Sequence, residues 1–349
     1  MKVIEVSAPS DGTTLAMFHQ VAASVYRDDP VWVPASEMMF TNRFRDSQAP
    51  GTIRMVPVVA VEGDQPVARA VAILSPGARD EAGESQGWIG FFECLREYPK
   101  GAAHVLSHCE HILQQAGAKS VLLSKADNQL VGLQTGGFDL PQTVFTNHNP
   151  PYYLDLIKAC GYEIKTKIYT LYFTRETTRQ VHVQLPGFTT REFNRDKLPE
   201  EILIFHQLQQ DIFGCQPGYI PRTLEEDRAM VQSFLSFLQD DLVIIAEDHD
   251  GNAVGSLVCL PDIYQATRGE PVTRVRIISI GAVPRLTQKG IGALMAAHLM
   301  RNILRKEAYT FAEGSWILAH NVPPRNLARR FQAKPGREFA IMHKSLAQL

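Results

Sequence analysis

Two glycines separated by one residue, Gly290 and Gly292, stand at the start of an amphipathic run over residues 291–306. The run before them, 274–282, is apolar and rich in β-branched residues, as in a buried strand. A strand that leads through a glycine turn into a helix presents main-chain N–H groups at the positive end of the helix dipole. Glycine also lets a ligand approach the backbone closely. The pattern therefore predicts a site that suits a phosphate.

The loop matches neither of two familiar phosphate motifs. A dinucleotide fold would place its glycines as G-x-G-x-x-G, and a P-loop would read G-x-x-x-x-G-K-[ST]. Only the triplet Gly290-Ile291-Gly292 is present, and a helical pattern follows it directly. The residue types indicate a main-chain cradle for an anion without identifying the molecule that carries the charge.

Three histidines form a second candidate group, at positions 104, 108 and 111 beside Cys109. Their spacing places them on one face of a predicted helix over residues 101–116, an arrangement that can bind a metal. No HExxH motif is present, and no carboxylate-bearing partner motif accompanies them. We therefore interpret them as an exposed helix face and predict no metal site.

The composition is that of an average soluble globular protein of two domains. The 349 residues are 45% hydrophobic and 21% charged, and the formal net charge of -2 gives no indication of a nucleic-acid surface. No run approaches the roughly 20 apolar residues of a membrane span, and the first residues predict a strand rather than a signal segment. The five cysteines are scattered without a C-x-x-C pair. We expect a cytoplasmic protein with no nucleic-acid, membrane or metal partner.

The order of predicted elements repeats once along the chain. Each half has a β-hairpin, at 55–74 and 242–260, followed by an apolar strand, a helix, a further strand and a proline-containing helix start. The offset is roughly 190 residues, which indicates duplicated domains rather than a solenoid; chance similarity is the alternative, since such alternation is common in α/β proteins. We predict an α/β (α+β) fold of two tandem domains, 1–178 and 187–349, each a mixed, mainly antiparallel sheet flanked by helices.

The halves differ at the helix start that would hold an anion. In the first half this segment is Arg96-Glu97-Tyr98-Pro99-Lys100-Gly101, with one glycine and an acidic residue beside the phosphate position. A like charge disfavours an anion there. The first half also has an extra segment, 131–148. We infer that only the second half binds a cofactor, and that the first half shapes a cleft or forms a domain or homodimer interface.

Further segments match one group of proteins across nearly the whole chain. They are residues 26–34 (YRDDPVWVP), Gly90-Phe91-Phe92-Glu93-Cys94, Gly137-Phe138-Asp139, Asn149-Pro150-Pro151-Tyr152-Tyr153, Ser315-Trp316-Ile317-Leu318 and the Gly290-Ile291-Gly292 loop. With them the chain resembles bacterial tandem GNAT-like (GCN5-related) N-acetyltransferases. The resemblance implies an acyl-coenzyme A (acyl-CoA) donor, acetyl-CoA or another thioester, whose acyl group an amine attacks directly. It supplies no acceptor, since fold alone does not settle function.

The resemblance also implies roles for residues of the second half. The loop and the strand end would hold the cofactor, and the main-chain N–H of Ala282 would face the thioester oxygen, a large contribution in acyl transfer. Asparagines at the last helix would bond the pantetheine arm. The implied cofactor-binding residues are Ala282, Val283, Gln288, Lys289, Gly290, Ile291, Gly292, Ala293, Asn321 and Asn326.

Proton transfer has several candidates near the strand ends of the expected cleft. A general base must take a proton from an ammonium group near the working pH, and Glu313 and His320 are our catalytic candidates. These residues and the acceptor-side candidates also have ordinary interpretations. Glu313 would be an exposed carboxylate, His320 a turn residue and Tyr264 a loop anchor, and Tyr152 and Tyr153 would form a packed aromatic pair. Candidates for the acceptor side, where ligands favour domain interfaces, are Asp262, Tyr264, Tyr152 and Tyr153.

Two positions depart from the GNAT pattern. Thr287 stands where the motif [RQ]-x-x-G-x-[GA] begins, and Gln332 lies near the position of a tyrosine that serves many GNATs as general acid. Our prediction is acyl-CoA-dependent N-acylation of a small amine or amino acid. Two alternatives stay open: an acyl group taken from aminoacyl-tRNA or acyl carrier protein on the same doubled fold, and a non-catalytic binding module.

Overall fold

The computed structural model describes residues 1–49, 53–123, 132–176, 182–214, 221–286 and 289–346. Contacts divide the chain into two units: unit 1 is formed by 1–142, 146–168 and 337–349, and unit 2 by 143–145 and 169–336. These units differ from the contiguous ranges 1–178 and 187–349 named above. The C-terminal segment joins unit 1, and three residues of the extra segment join unit 2.

The described strands and helices alternate as an α/β chain. The strands are β1 (Lys2–Glu5), β2 (Arg54–Glu62), β3 (Gln65–Leu74), β4 (Gln86–Cys94), β5 (Ser120–Leu123), β6 (Leu133–Gly136), β7 (Glu163–Thr174), β8 (Phe188–Glu192), β9 (Val243–Asp248), β10 (Ala253–Pro261), β11 (Arg274–Ala282), β12 (Phe311–Leu318) and β13 (Lys334–Ser345). The helices are α1 (Gly12–Val25), α2 (Glu37–Asp46), α3 (Pro99–Gln115), α4 (Tyr153–Ala159), α5 (Leu198–Phe213), α6 (Leu224–Phe234), α7 (Ile263–Thr267), α8 (Ile291–Arg305) and α9 (Val322–Arg330).

The sheet of unit 1 begins with antiparallel neighbours β1, β2, β3 and β4. Strands β4 and β5 pair parallel, from Gln86 with Ser120 to Ile89 with Leu123. Helix α3 covers one face, where its buried Val105 and Leu106 share a core with Ile89 of β4. A parallel pair needs a crossover connection, and α3 supplies it.

The sheet of unit 2 repeats this order. Strands β8 to β11 are antiparallel neighbours, and β11 and β12 pair parallel with α8 as the crossover. Val275 and Ile277 of β11 pack in one core with Met295 of α8. Ile278 packs in a second cluster with Phe234 of α6. Helices therefore cover both faces of the sheet, and the expected α/β class with mixed, mainly antiparallel sheets is confirmed.

Local sequence signals locate most of these elements. Thr223, with Glu226 three residues later, has the sequence pattern of a capping box, and both of its hydrogen bonds form. Both hairpins and both crossover helices lie within a few residues of their predicted bounds. Helices α1, α2 and α7 and strands β6, β7 and β13 were not predicted. Among the described residues, no helix combines the length and apolar character that a bilayer crossing requires.

Candidate active site

Helix α8 begins at a glycine that adopts the left-handed conformation. Gly290 is its N-cap residue with a φ of 93°, a region that disfavours residues with a Cβ atom. No side chain caps the helix and no acidic residue lies in its first turn. The first N–H groups of a helix have no intrahelical acceptor. The start of α8 therefore retains donors for an anion, beside the exposed Lys289.

The end of β11 directs a main-chain N–H away from its antiparallel neighbour. Ala282 pairs with Gly255 of β10, and the next N–H, that of Val283, donates to the Val254 carbonyl at 2.9 Å. Successive residues of a strand present their N–H groups to opposite edges. The Ala282 N–H therefore points to the edge where β12 lies. Ile280, two residues earlier, has the same orientation.

A bulge interrupts β11 just before this segment. Val258 of β10 pairs with Ser279 and Cys259 with Ile277, so Ile278 is an extra residue. Before the bulge, Val275 and Ile277 are buried, whereas every residue from Ile278 to Ala282 is partly exposed. Bulges re-aim a strand and are over-represented beside active sites. The segment of β11 that leads to Ala282 is therefore partly accessible.

His320 follows β12 at the sheet edge where β11 also ends, because the two strands are parallel. Ile277 pairs with Gly314, so Ala282 and Ala319 both lie five residues beyond a paired position, and His320 follows. His320 is exposed in the turn between β12 and α9. Glu313 is paired with Arg276, six residues before Ala282, which corresponds to roughly 20 Å along a strand.

The corresponding strand end of unit 1 is occupied by tyrosines. Cys94 pairs with Ala68, and the next N–H, that of Leu95, donates to the Val67 carbonyl at 2.9 Å, as at the end of β11. The Cys94 N–H donates to the Tyr153 hydroxyl at 2.8 Å. The Tyr152 hydroxyl donates to the Cys94 carbonyl at 2.7 Å. The main-chain N–H and carbonyl of Cys94 are therefore both hydrogen-bonded within unit 1. They correspond to the two groups that Ala282 would offer to a ligand.

These tyrosines belong to a buried polar network. The hydroxyls of Tyr153 and Tyr26 donate to Glu93 at 2.8 and 2.9 Å, and the Arg69 guanidinium lies 3.6 Å from the same carboxylate. Tyr153 has no exposed surface, and burial raises its pKa well above the ordinary value. Tyr152 packs edge-on against Tyr153. These positions favour the packed aromatic pair over a contact with substrate.

The start of α3 also differs from that of α8. Pro99 stands in its first turn and has no N–H to offer. Gly101 is buried against β3, where an added Cβ would lie 3.1 Å from the Ala68 Cβ. Glu97 precedes the helix. Unit 1 therefore lacks the anion cradle that unit 2 retains.

The other residues expected at the cofactor occupy varied positions. Asn321 is the N-cap residue of α9, but its side chain makes no capping bond. Asn326 is exposed on the same helix. Ile291 and Ala293 are buried and contribute main-chain atoms to the start of α8. An added Cβ on Gly292 would make an ordinary contact with Leu327 at 3.7 Å. Gln288, like Thr287, lies outside the described residues.

Two of the candidates, Asp262 and Glu313, instead hold a short segment of unit 2, together with Arg276. The segment is Thr143–Phe145, which we call the clamped segment. The Asp262 carboxylate accepts the Val144 N–H at 2.8 Å. The Arg276 guanidinium donates to the Val144 carbonyl, and the Thr143 hydroxyl donates to Glu313. Burial raises the pKa of Asp262, although Arg274 lies 3.4 Å away, and burial also raises the pKa of Tyr264.

The clamped segment was not predicted from the sequence. Arg337 follows a basic stretch that includes the exposed Arg329 and Arg330, but it lies on β13, is buried, and donates to the Thr146 hydroxyl at 2.8 Å. Thr143 to Phe145 carry no motif, so the only signal was the length of the extra segment. The three histidines of α3 make separate contacts: His104 with the Lys100 carbonyl, His108 with Glu5 and His111 with Gln115.

No protein-family model matches the chain. Two curated relatives span nearly its whole length: protein YghO of Escherichia coli, 24% identical over 95% of this chain and 93% of its own, and a bacterial ceramide synthase of Caulobacter vibrioides, 22% identical over 99% and 98%. Among solved structures, a tandem GNAT protein from the clavulanic acid biosynthesis pathway superposes with a TM-score of 0.62 at 13% identity, covering 99% of this chain and 98% of that one. The chain has the fold of the tandem GCN5-related N-acetyltransferases.

Proposed function

We propose that the protein is an acyl-CoA-dependent N-acyltransferase whose donor binds in unit 2. The observation that carries this proposal is the contrast between two equivalent strand ends. The main chain of Cys94 is satisfied by Tyr152 and Tyr153, which begin α4. Helix α9 begins instead with Asn321 and a valine, and the Ala282 N–H points to the β12 edge.

The residues of unit 2 fit such a donor. The start of α8 offers a pyrophosphate N–H groups that have no acceptor within the helix, and the exposed Lys289 adds a positive charge. The side chain of Asn321 makes no capping bond to α9 and is therefore available to an amide of the pantetheine arm. The Ala282 N–H and the Ile280 N–H lie on one edge, suited to the thioester and the adjoining arm.

Direct acyl transfer follows from these positions. A bound acyl-CoA supplies a thioester with an electrophilic carbonyl carbon. The Ala282 N–H would donate to the carbonyl oxygen, where negative charge develops during attack by the amine. The new C–N bond forms as the C–S bond breaks, which yields an amide and the free thiol of CoA.

His320 is the proton acceptor that we favour. It is exposed and follows β12 at the same end of the sheet as Ala282. A base must come within hydrogen-bond reach of the attacking amine, directly or through one water. Glu313 is buried beside Thr143 and lies level with Arg276, which places it far from the thioester end.

The described cysteines give no support to a covalent acyl-enzyme. A nucleophilic cysteine needs a lowered pKa, whereas burial raises the pKa of Cys94 to about 12 and also raises those of Cys109, Cys160 and Cys259. Direct attack by the amine is therefore the mechanism that we propose.

Two acceptor classes fit this chemistry. A small amine or amino acid is the acceptor that the sequence predicts. The Caulobacter relative is named a ceramide synthase, and a ceramide is an amide of a long-chain amine. A long-chain amine is therefore the second candidate for this chain.

The test is amine-dependent release of free CoA thiol from acetyl-CoA and longer acyl-CoA thioesters. We expect thiol release with at least one amine class. Replacing His320 with Gln should lower kcat by about 100-fold, within the range of a lost general base, and leave the acyl-CoA Kd unchanged. Glu313→Gln is the comparison variant. If it loses as much kcat as the His320 variant and shifts the pH profile, Glu313 is the proton acceptor instead. No thiol release with any amine would refute the proposal.

A further inference from the structure

The clamped segment is held by side chains that are costly to bury. Asp262 is fully buried, and Arg276 and Glu313 are each 3% exposed. Removing a charge from water is costly unless an opposite charge and hydrogen bonds offset the lost hydration. All three of these charged residues contact Thr143 or Val144. Three buried charged residues of unit 2 thus hold both main-chain groups of Val144 and the hydroxyl of Thr143.

The third residue of the segment is exposed and conformationally unfavourable. Phe145 has a φ of 57°, a region that bulky residues rarely adopt. Its main chain is hydrogen-bonded to Tyr264. Its side chain is nevertheless 42% exposed. Strained residues persist only where their surroundings determine them, and they concentrate at functional sites.

The Phe145 ring extends an apolar surface that begins at β11. Its centroid lies 5.4 Å from that of Phe234 on α6. Phe234 packs in the same cluster as Ile278, the first residue of the partly exposed run that ends at Ala282. Apolar side chains therefore join the ring of Phe145 to Ile278, at the start of the partly exposed run of β11.

We propose that Phe145 is a specificity residue that forms, with Phe234, an apolar wall for the hydrocarbon part of the amine acceptor. This inference rests on the proposed function and selects the second of its two acceptor classes, an amine that carries an alkyl chain. Two observations favour this occupant: the apolar cluster is continuous with Ile278 of the partly exposed run of β11, and one exposed aromatic ring is held in a strained conformation. The name of the Caulobacter relative points to the same chemistry.

The test is calorimetric binding of butylamine, octylamine and dodecylamine to the full-length protein. We expect affinity to rise with chain length in the wild type. Phe145→Asn should remove that gain, with dodecylamine bound at least tenfold more weakly. Asn tolerates a positive φ better than Phe, so this variant should be as stable as the wild type, which separates a lost contact from a damaged fold.

Two further variants serve as controls. Leu203→Ala removes another exposed apolar side chain, 55% exposed on α5, and should leave the chain-length dependence intact. Phe145→Leu keeps an apolar contact and should retain part of the dodecylamine affinity. Equal affinity for the three amines in the wild type, or unchanged dodecylamine binding by Phe145→Asn, would overturn the inference.

Acyl transfer to the same amines separates this inference from the proposed function. In an active enzyme, Phe145→Asn should raise KM for dodecylamine at least tenfold while KM for acyl-CoA stays unchanged. If the wild type binds the amines through Phe145 but releases no CoA thiol, the proposed function fails and the apolar wall stands. If transfer proceeds with no dependence on Phe145, the wall fails and the proposed function stands.

Discussion

The main-chain N–H of Cys94 donates to the hydroxyl of Tyr153 at 2.8 Å, at the strand position that Ala282 has in unit 2. Leu95 and Val283, which follow these two residues, make the same bond to the neighbouring strand. The same main-chain N–H position thus differs between the units. In unit 1 it is hydrogen-bonded to a tyrosine hydroxyl, and in unit 2 it points to the β12 edge. This difference is our reason for assigning the donor to unit 2.

Removing the Tyr153 hydroxyl tests the structural role of the filled position. Tyr153→Phe leaves the buried Cys94 N–H without its acceptor and takes a donor from Glu93. An unsatisfied buried polar group costs about 1–3 kcal/mol, so urea unfolding should show a loss of that size. Tyr152→Phe, which frees only one bond to the Cys94 carbonyl, should cost less. Acyl-CoA and amine binding should not change. A raised KM for the amine would instead show that the tyrosines contact the substrate.

Asn321 provides a second test, because it sits at a helix N-cap without capping the helix. Asn321→Ala should therefore change the melting temperature little and weaken acyl-CoA binding several-fold. The matched variant is Thr223→Ala, which breaks a complete capping box on α6 and should cost about 1 kcal/mol without affecting acyl-CoA. A large stability loss in Asn321→Ala with unchanged binding would assign this residue to capping alone.

The charge state of Asp262 predicts a dependence of stability on pH. Burial raises its pKa above the ordinary value, so the protonated form favours the folded state. That contribution is fully present below the pKa of the unfolded chain and is lost as pH rises through the folded pKa. The free energy of unfolding of the wild type, relative to Asp262→Asn, should therefore fall as the pH rises above the ordinary aspartate pKa of about 4. A relative stability that rises over this range would show that pairing with Arg274 outweighs burial.

The sequence predicts the element order well, since hairpin turns, caps and apolar strands are local signals. The capping box of Thr223 and the strand–helix–strand crossover ending at β12 are examples. The site is less predictable because its contacts are distant in sequence. Thr143 lies 170 residues from Glu313, and nothing local marks a threonine that will reach that carboxylate. For Tyr153, the sequence offered a packed aromatic pair as an alternative, and the ring does pack against Tyr152. Its bond to Cys94, however, depends on tertiary packing.

The central claim, that an acyl-CoA is bound at the start of α8, is tested most directly by calorimetric titration of two glycine variants. Gly290 and Gly251 both have a positive φ, and neither has an atom closer than 4.0 Å to an added Cβ. Replacing either with Ala should therefore cost similar stability, about 1 kcal/mol. Only Gly290→Ala places a methyl group in the proposed cradle.

We predict saturable binding of acetyl-CoA or a longer acyl-CoA to the wild type at one site. Gly251→Ala should keep that affinity, and Gly290→Ala should bind at least tenfold more weakly, about 1.4 kcal/mol. Equal affinity of the two variants, or no binding of any acyl-CoA by the wild type, would contradict the account.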